Sequence, residues 1–290
     1  METSKNNPDP IFVPAYFLRF LPVIGPELAW YYLAFRQAMY ANGVYEGRSS
    51  ANLHTPYIAD LLGISVDSLL DFIYSEEPWC KLEGLVWRIE NGQGIVTLHF
   101  LVQVSLPLVS PDAFAMGYRL SGGHATTASS VAAACSRAPI DDLLADADDL
   151  ADPDAMVYHS HETIGDVLRG FGEFTEAQIS KLDALLTARI MPENEFLCLP
   201  LEYLGNLRNT LGDGQVWLLA ILDYTSQDNR VTVEGGYEEM ARWLGLSNPE
   251  LIYQWLNSPA MQSYVQVVDS ENVGQWDSPR TFTILRATIQ

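Results

Sequence analysis

Ala59-Asp60-Leu61-Leu62-Gly63-Ile64-Ser65 has a near copy 182 positions later, Ala241-Arg242-Trp243-Leu244-Gly245-Leu246-Ser247. In both, a run that suits a helix ends at a glycine, and a serine follows two residues on. Glycine enters the left-handed conformation that closes a helix without the Cβ penalty, and serine is a preferred N-cap for the next one. Each stretch therefore reads as helix, turn, helix. The alanine permits close contact between the two helices, and the leucines supply the core.

Working outward from the first copy, Pro26 suits a first helical turn and Glu27 complements a helix N-terminus. Leu28, Trp30, Tyr31, Leu33, Ala34, Phe35, Ala38 and Met39 then continue to a stop near Asn42-Gly43, apolar nearly all round and so expected to be buried. A polar loop holding Gly47 and Arg48 leads to Thr55-Pro56, read as N-cap and first turn of a helix through Leu62. The next helix, capped by Ser65, runs to about Tyr74. Two strand-like runs, Leu82 to Glu90 and Ile95 to Val104, flank Asn91-Gly92-Gln93-Gly94, a hairpin signal.

The same order returns around the second copy. Helices are expected over about Gly214 to Tyr224, Gly236 to Leu244 and Asn248 to Leu256, and strands near Tyr264 to Asp269 and Arg280 to Arg286. Placing Ala59 on Ala241 also aligns Leu62 with Leu244, Ser65 with Ser247, Leu69 with Leu251 and Leu70 with Ile252. Trp30 falls on Trp217 if the first loop is five residues longer.

Three helices followed by a hairpin, twice over, resemble the winged-helix domain. The implied fold class is α+β, mainly α with small β-hairpins: two winged-helix domains joined by an acidic, partly helical middle segment. The expected divisions are a disordered tail over 1–10, an N-terminal domain over 11–110, a middle segment over 111–205 and a C-terminal domain over 206–290.

The middle segment is rich in Ser, Ala and Gly around Ser121-Gly122-Gly123, and holds seven aspartates and no base from Asp141 to Asp154. Aspartate oxygens suit calcium, but the turn glycine and closing glutamate of an EF-hand loop are absent, so a solvated acidic linker is expected. Thr175-Glu176-Ala177-Gln178 is a capping box opening a helix in which Ile179, Leu182, Leu185 and Leu186 share a face. His159-Ser160-His161-Glu162 offers two histidines, yet Thr163 and Gly165 argue for a surface turn and no third ligand follows at a recognisable spacing.

Cys80, Cys135 and Cys198 are far apart and lack CxxC spacing, which fits a reducing, cytoplasmic setting without a structural metal. The apolar run Phe12 to Ile24 is broken by Pro14, Arg19 and Pro22, so neither a signal peptide nor a membrane span is expected. No GxSxG, GxxxxGK[ST] or GxGxxG motif occurs. The expectation is a non-enzymatic protein with no catalytic residues, metal or cofactor.

Charge bears hardest on function. The formal net charge is -21, with Lys and Arg against Asp and Glu standing at 6 to 11 over 1–110, 5 to 16 over 111–205 and 5 to 10 over 206–290. A field of that sign repels phosphate. In the winged-helix family the third helix enters the DNA major groove, so its outward residues decide. On the first such helix Leu69, Leu70 and Ile73 face the core, leaving Ser65, Asp67, Ser68, Asp71 and Tyr74 outward. On the second, Leu251, Ile252 and Trp255 face the core, leaving Asn248, Glu250, Tyr253, Gln254 and Asn257 outward. Amides can read adenine edges, so the second helix is the better reader.

The resemblance thus implies a DNA-associated protein of the bacterial or plasmid replication-initiator or regulator type, read mainly through the C-terminal unit and nucleoid-associated. Its candidate DNA-binding residues are Arg242, Asn248, Tyr253, Gln254, Asn257 and Arg280, with Arg48, Lys81 and Arg88 in the first unit. The alternative resemblance is to the acidic winged-helix subunits of chromosome-condensing complexes, adaptors that hold proteins. Partners would be DNA, a protein or a second copy, and no membrane.

Overall fold

The computed structural model describes residues 10–45, 48–75, 82, 85–89, 96–104, 175–181, 196–268 and 275–285, with the side chains of residues 16, 19, 48 and 103 excepted. The expectations for residues 1–9, the Asn91–Gly94 turn, the Asp141–Asp154 run and His159–Glu162 fall outside them.

The chain mixes helix with small antiparallel sheets. Strand β1 (Ile11–Pro14), a 3-10 turn and short helix α1 (Leu21–Ile24) lead to the long helix α2 (Pro26–Ala41). Strand β2 (Arg48–His54), helices α3 (Thr55–Leu62) and α4 (Val66–Tyr74), and strands β3 (Val86–Ile89) and β4 (Thr97–Gln103) complete the first half. Helix α5 covers 176–181. The second half runs through β5 (Phe196–Leu199), α6 (Asn206–Leu211), α7 (Asp213–Thr225), β6 (Arg230–Val233), α8 (Gly236–Trp243) and α9 (Pro249–Leu256). It ends with α10 (Pro259–Gln262), β7 (Val265–Val267) and β8 (Arg280–Ile284).

Each half holds a three-stranded antiparallel sheet with its last strand in the middle, ordered β2-β4-β3 and β6-β8-β7. Strands β2 and β6 are additions to the sequence reading. Arg48 to His54, expected as a polar loop, pairs along its length with β4, from Arg48 opposite Gln103 to His54 opposite Thr97. Asn52 and His99, directly opposite, share a 2.8 Å hydrogen bond between side chains. Before β6, Asp228 and Asn229 both take positive φ, 50° and 64°, the geometry of a tight turn of the type that joins hairpins.

Gly63 adopts φ 63° and closes α3, and Ser65 Oγ accepts the Ser68 N–H at 3.0 Å, as the sequence leads one to expect. Two caps are corrected. Thr55 is the first residue of α3 and not its cap; its buried hydroxyl donates to the Val96 carbonyl at 3.1 Å. In the second half Asn248, not Ser247, caps α9, its Oδ1 accepting the Glu250 N–H at 3.0 Å. The core register therefore slips by one after Gly245, so that Leu69 and Ile73 correspond to the buried Ile252 and Leu256. At α5 the capping box is present: Gln178 Oε1 accepts the Thr175 N–H at 2.9 Å, and Ile179 is buried.

Both long helices are buried nearly all round, because they pack on each other and on the elements of their own halves. Their first turns follow glycines with positive φ, Gly25 at 86° and Gly212 at 105°. Five residues after each glycine stands a tryptophan, and the two indoles stack with centroids 4.2 Å apart. Trp30 Nε1 donates to the Asp213 carbonyl and Trp217 Nε1 to the Pro26 carbonyl, each at 3.1 Å. The reciprocity defines a pseudo-two-fold relation between the halves. β1 and β5 obey it as a two-stranded antiparallel ribbon with Phe12 opposite Cys198.

The glycine turns obey it too. The Gly63 turn sits on the start of α6: Arg208 Nη2 donates to the Leu62 carbonyl at 2.6 Å and Asn209 Nδ2 to the Gly63 carbonyl at 2.8 Å. The Gly245 turn sits on α1, where a Cβ at 245 would come within 2.6 Å of the Pro22 oxygen. One contiguous apolar core results, running through both halves.

Candidate functional site

Helices α4 and α9 are the elements from which the family resemblance draws its readers. On α4 the outward residues are Ser65, Asp67, Ser68, Asp71 and Tyr74, as expected from the sequence, while Phe72 joins Leu69 and Ile73 in the core. The exposed Tyr74 ring carries the Arg88 guanidinium of β3 at 4.3 Å from its centroid. That cation is thus engaged in covering an aromatic face, a contact worth about 0.5–1 kcal/mol at an exposed site.

On α9, Asn248, Gln254 and Asn257 are exposed. Each is already engaged locally: Asn248 caps its own helix, Gln254 Nε2 donates to Glu250 Oε1 at 3.3 Å, and Asn257 Nδ2 donates to the Tyr253 carbonyl at 2.8 Å. Tyr253, read as an outward residue of α9, is only partly at the surface. It is half-buried in an aromatic cluster, its ring 5.7 Å from Tyr237 and 5.8 Å from Trp276, in edge-on contact with both.

Arg280 is corrected most clearly. The sequence reading gives it to the surface, but it is only 3% exposed. Its Nη2 donates to the Gln275 carbonyl at 3.1 Å and its guanidinium lies 5.2 Å from the Tyr237 ring centroid. Burial pushes the Tyr237 hydroxyl above its usual pKa, with the Arg280 charge pulling the other way. Arg242 is exposed at the end of α8. Lys81 and the Arg48 side chain lie outside the described residues. Arg242 and the α9 face are therefore not joined through Arg280 into one positive strip.

Among the described residues, no group of three or more His, Cys, Asp or Glu side chains is placed to hold a metal ion. No described helix is long and apolar enough to cross a membrane.

A second feature escapes a motif-based reading. The outer face of the β1–β5 ribbon exposes Phe12 (55%) and Phe196 (47%) beside Cys198. Around the edge of β5 a half-open pocket of about 180 Å³ is lined by Phe196 to Leu199, Tyr203, Ala220, Asp223 and Tyr224. Burial raises the Tyr203 hydroxyl far above its ordinary pKa, and the nearby charges of Asp223 and Glu202 add to that. The available signal was the repeated Leu-Pro or Val-Pro step, Val13-Pro14 and Leu199-Pro200, which marks both strand ends.

No family model matches the chain, and neither the curated proteins nor the solved structures compared with it include a match.

Proposed function

We propose that this is a non-enzymatic tandem winged-helix adaptor, which uses its acidic surface to hold a basic protein partner. One observation carries the reading: Arg280, one of the two candidate phosphate-binding cations of the second unit, is buried against the Tyr237 ring. The facing residues reinforce it, since α4 presents Asp67 and Asp71 outward and α9 presents Glu250. Duplex binding ordinarily gathers several phosphate contacts, each contributing to affinity, and carboxylates at those positions oppose every one. With a net charge of -21, long-range steering favours cationic partners instead.

DNA reading through α9 is the competing function, favoured by the exposure of Gln254 and Asn257 beside Arg242. Binding to pooled genomic DNA fragments across a salt series separates the two. The adaptor reading expects no retention even at low salt, together with a stoichiometric protein partner on purification from native cells. Retention that weakens steeply with added salt, with no protein partner recovered, would establish DNA binding and remove the adaptor.

A further inference from the structure

The β1–β5 ribbon has two outer edges, and the chain treats them differently. Pro14 has no N–H, so Pro14 and Phe196, directly opposite, cannot be a pair that exchanges both backbone hydrogen bonds. Pairs alternate along an antiparallel ribbon, so Phe12 and Cys198, two residues on, belong to the same class. In that class the N–H and C=O of both residues turn away from the partner strand. Arg36 agrees with the assignment, since its Nη1 donates to the Phe12 carbonyl at 2.8 Å from α2, not from β5.

On β1 the outward edge is closed. Pro14 offers no donor, and the Phe12 carbonyl is held by Arg36, a buried side chain whose Nε also donates to the Val104 carbonyl at 3.0 Å. An edge proline and a covering side chain are both ways in which sheets refuse a further strand. On β5 the outward residues are Phe196 and Cys198, each with an N–H as well as a C=O. Among the described residues no backbone hydrogen bond outside the ribbon engages either of them. The half-open pocket between β5 and α7 lies alongside.

We propose that the outer edge of β5 takes an extended basic segment of a protein partner as a third, antiparallel strand, with a basic–aliphatic–basic triplet opposite Cys198, Leu197 and Phe196. The inference rests on the adaptor reading and says how the partner is held. Main-chain bonds to Phe196 and Cys198 fix the strand, and the pleat sets its side chains. The two residues opposite Phe196 and Cys198 point to the outer face of the ribbon, where Phe12 and Phe196 are exposed. Lysine or arginine stems cover those rings while their charged heads stay in water. The residue between them points to the side of the buried Leu197, into the pocket beside Tyr203 and Ala220. Its volume of about 180 Å³ admits one branched aliphatic side chain. Charge selects this occupant over a second copy: two chains of net -21 repel, whereas a cationic segment is drawn in. Glu202, exposed just past the end of β5, gives the edge the same sign locally.

The test uses the full chain, labelled with ¹⁵N, and the peptide acetyl-Ser-Lys-Val-Lys-Ser-amide. The expected result is saturable exchange protection of the Phe196 and Cys198 amides, which face outward in the chain alone. Two methylated peptides read the pairing itself. Methyl groups on both lysine backbone nitrogens, which face β5, should weaken binding by about tenfold or more; one on the valine nitrogen, which faces away, should leave it nearly unchanged. Replacing both lysines by glutamate should cost about tenfold or more as well. Cys198→Pro removes one outward N–H, as Pro14 does on β1, and should weaken the native peptide similarly, with tryptophan fluorescence as the folding control. The peptide series needs no variant, so it decides even if Cys198→Pro fails to fold. No protection at the two amides, equal binding of all the peptides, or protection that arises in the chain alone as its concentration rises would overturn the proposal; the last would make the occupant a second copy. Purification from native cells separates its failure from that of the adaptor reading. A stoichiometric partner held equally by the native chain and folded Cys198→Pro keeps the adaptor and removes the edge. A peptide response with no partner recovered overturns the adaptor reading and the assignment of this edge to a partner.

Discussion

A methyl group at position 245 would stand 2.6 Å from the Pro22 oxygen and 2.7 Å from its Cα, both backbone atoms of the other half. At position 63 the shortest approach, 2.5 Å, is to the end of the Asn209 side chain, which can swing away. Both glycines sit at positive φ, 63° and 69°, where a Cβ costs roughly 1–2 kcal/mol. Gly63→Ala should therefore lose about 1–2 kcal/mol, and Gly245→Ala distinctly more because backbone must move. Urea midpoints at an unchanged m-value check the order; equal losses would contradict it. Between these turns lies a charge cluster with its own pH signature. The Glu27 carboxyl is raised above its ordinary pKa by burial first and by the Asp213 charge second, while Arg208 lowers it. Asp213 is likewise raised by burial and restrained by Arg208, 3.5 Å away. A carboxyl that binds its proton more tightly in the fold makes stability fall as pH rises from its unfolded pKa, about 4, towards the folded value. Glu27→Gln should reduce that slope, leaving the part that Asp213 contributes, and give a small gain at neutral pH that vanishes below about pH 4, as read from urea midpoints against pH. The gain is small because solvent reaches Glu27 on one side.

At the scale of the element, caps decide where a helix begins, and the two copies differ by one residue. Ser65 caps α4 but Asn248 caps α9, with Pro249 as the first helical residue. Asn248→Ala should lose about 1 kcal/mol, whereas Ser247→Ala should fall within about 0.5 kcal/mol of the native chain. Thermal midpoints of the two variants settle the comparison, and a larger loss at Ser247 would contradict the cap assignment. The serine identity was the stronger sequence match, and it misled because Asn followed by Pro is an equally good helix start. The glycine turns and most helices were legible, since glycine at a helix end and an apolar face each have a local cause. Strand β2 was not: Arg-Ser-Ser-Ala-Asn-Leu-His has almost no alternation, and only its pairing with β4 makes it a strand. Arg280 and Arg36 escaped in the same way, because nothing next to an arginine in the chain announces that distant carbonyls will bury it. Hence the outward face of α4 could be read in advance, while the charge available beside α9 could not.

At the scale of the whole molecule, the duplication behaves as one body and not as two beads on a string. The indole pair places a stacked contact and two reciprocal hydrogen bonds at the centre, and the β1–β5 ribbon takes one strand from each half. Arg208 ties α6 to the end of α3 across the same boundary. The two halves share their most buried elements, since α2 and α7 pack on each other as well as on the elements of their own halves. Chains of more than about 150 residues often unfold in stages. Here the shared core predicts a single transition for the two described halves, with far-ultraviolet circular dichroism and tryptophan fluorescence giving one midpoint. Trp217→Ala sharpens the test. It should lose about 3–5 kcal/mol as a buried aromatic truncation. Although Trp217 belongs to the second half, the loss should appear equally in amide exchange at Phe100, in the middle strand of the first half's sheet, and at Phe282, in the middle strand of the second's. Protection lost at Phe282 and kept at Phe100 would show that the halves fold independently, and the reciprocal tryptophan contact would then be an interface between two domains, not the centre of one.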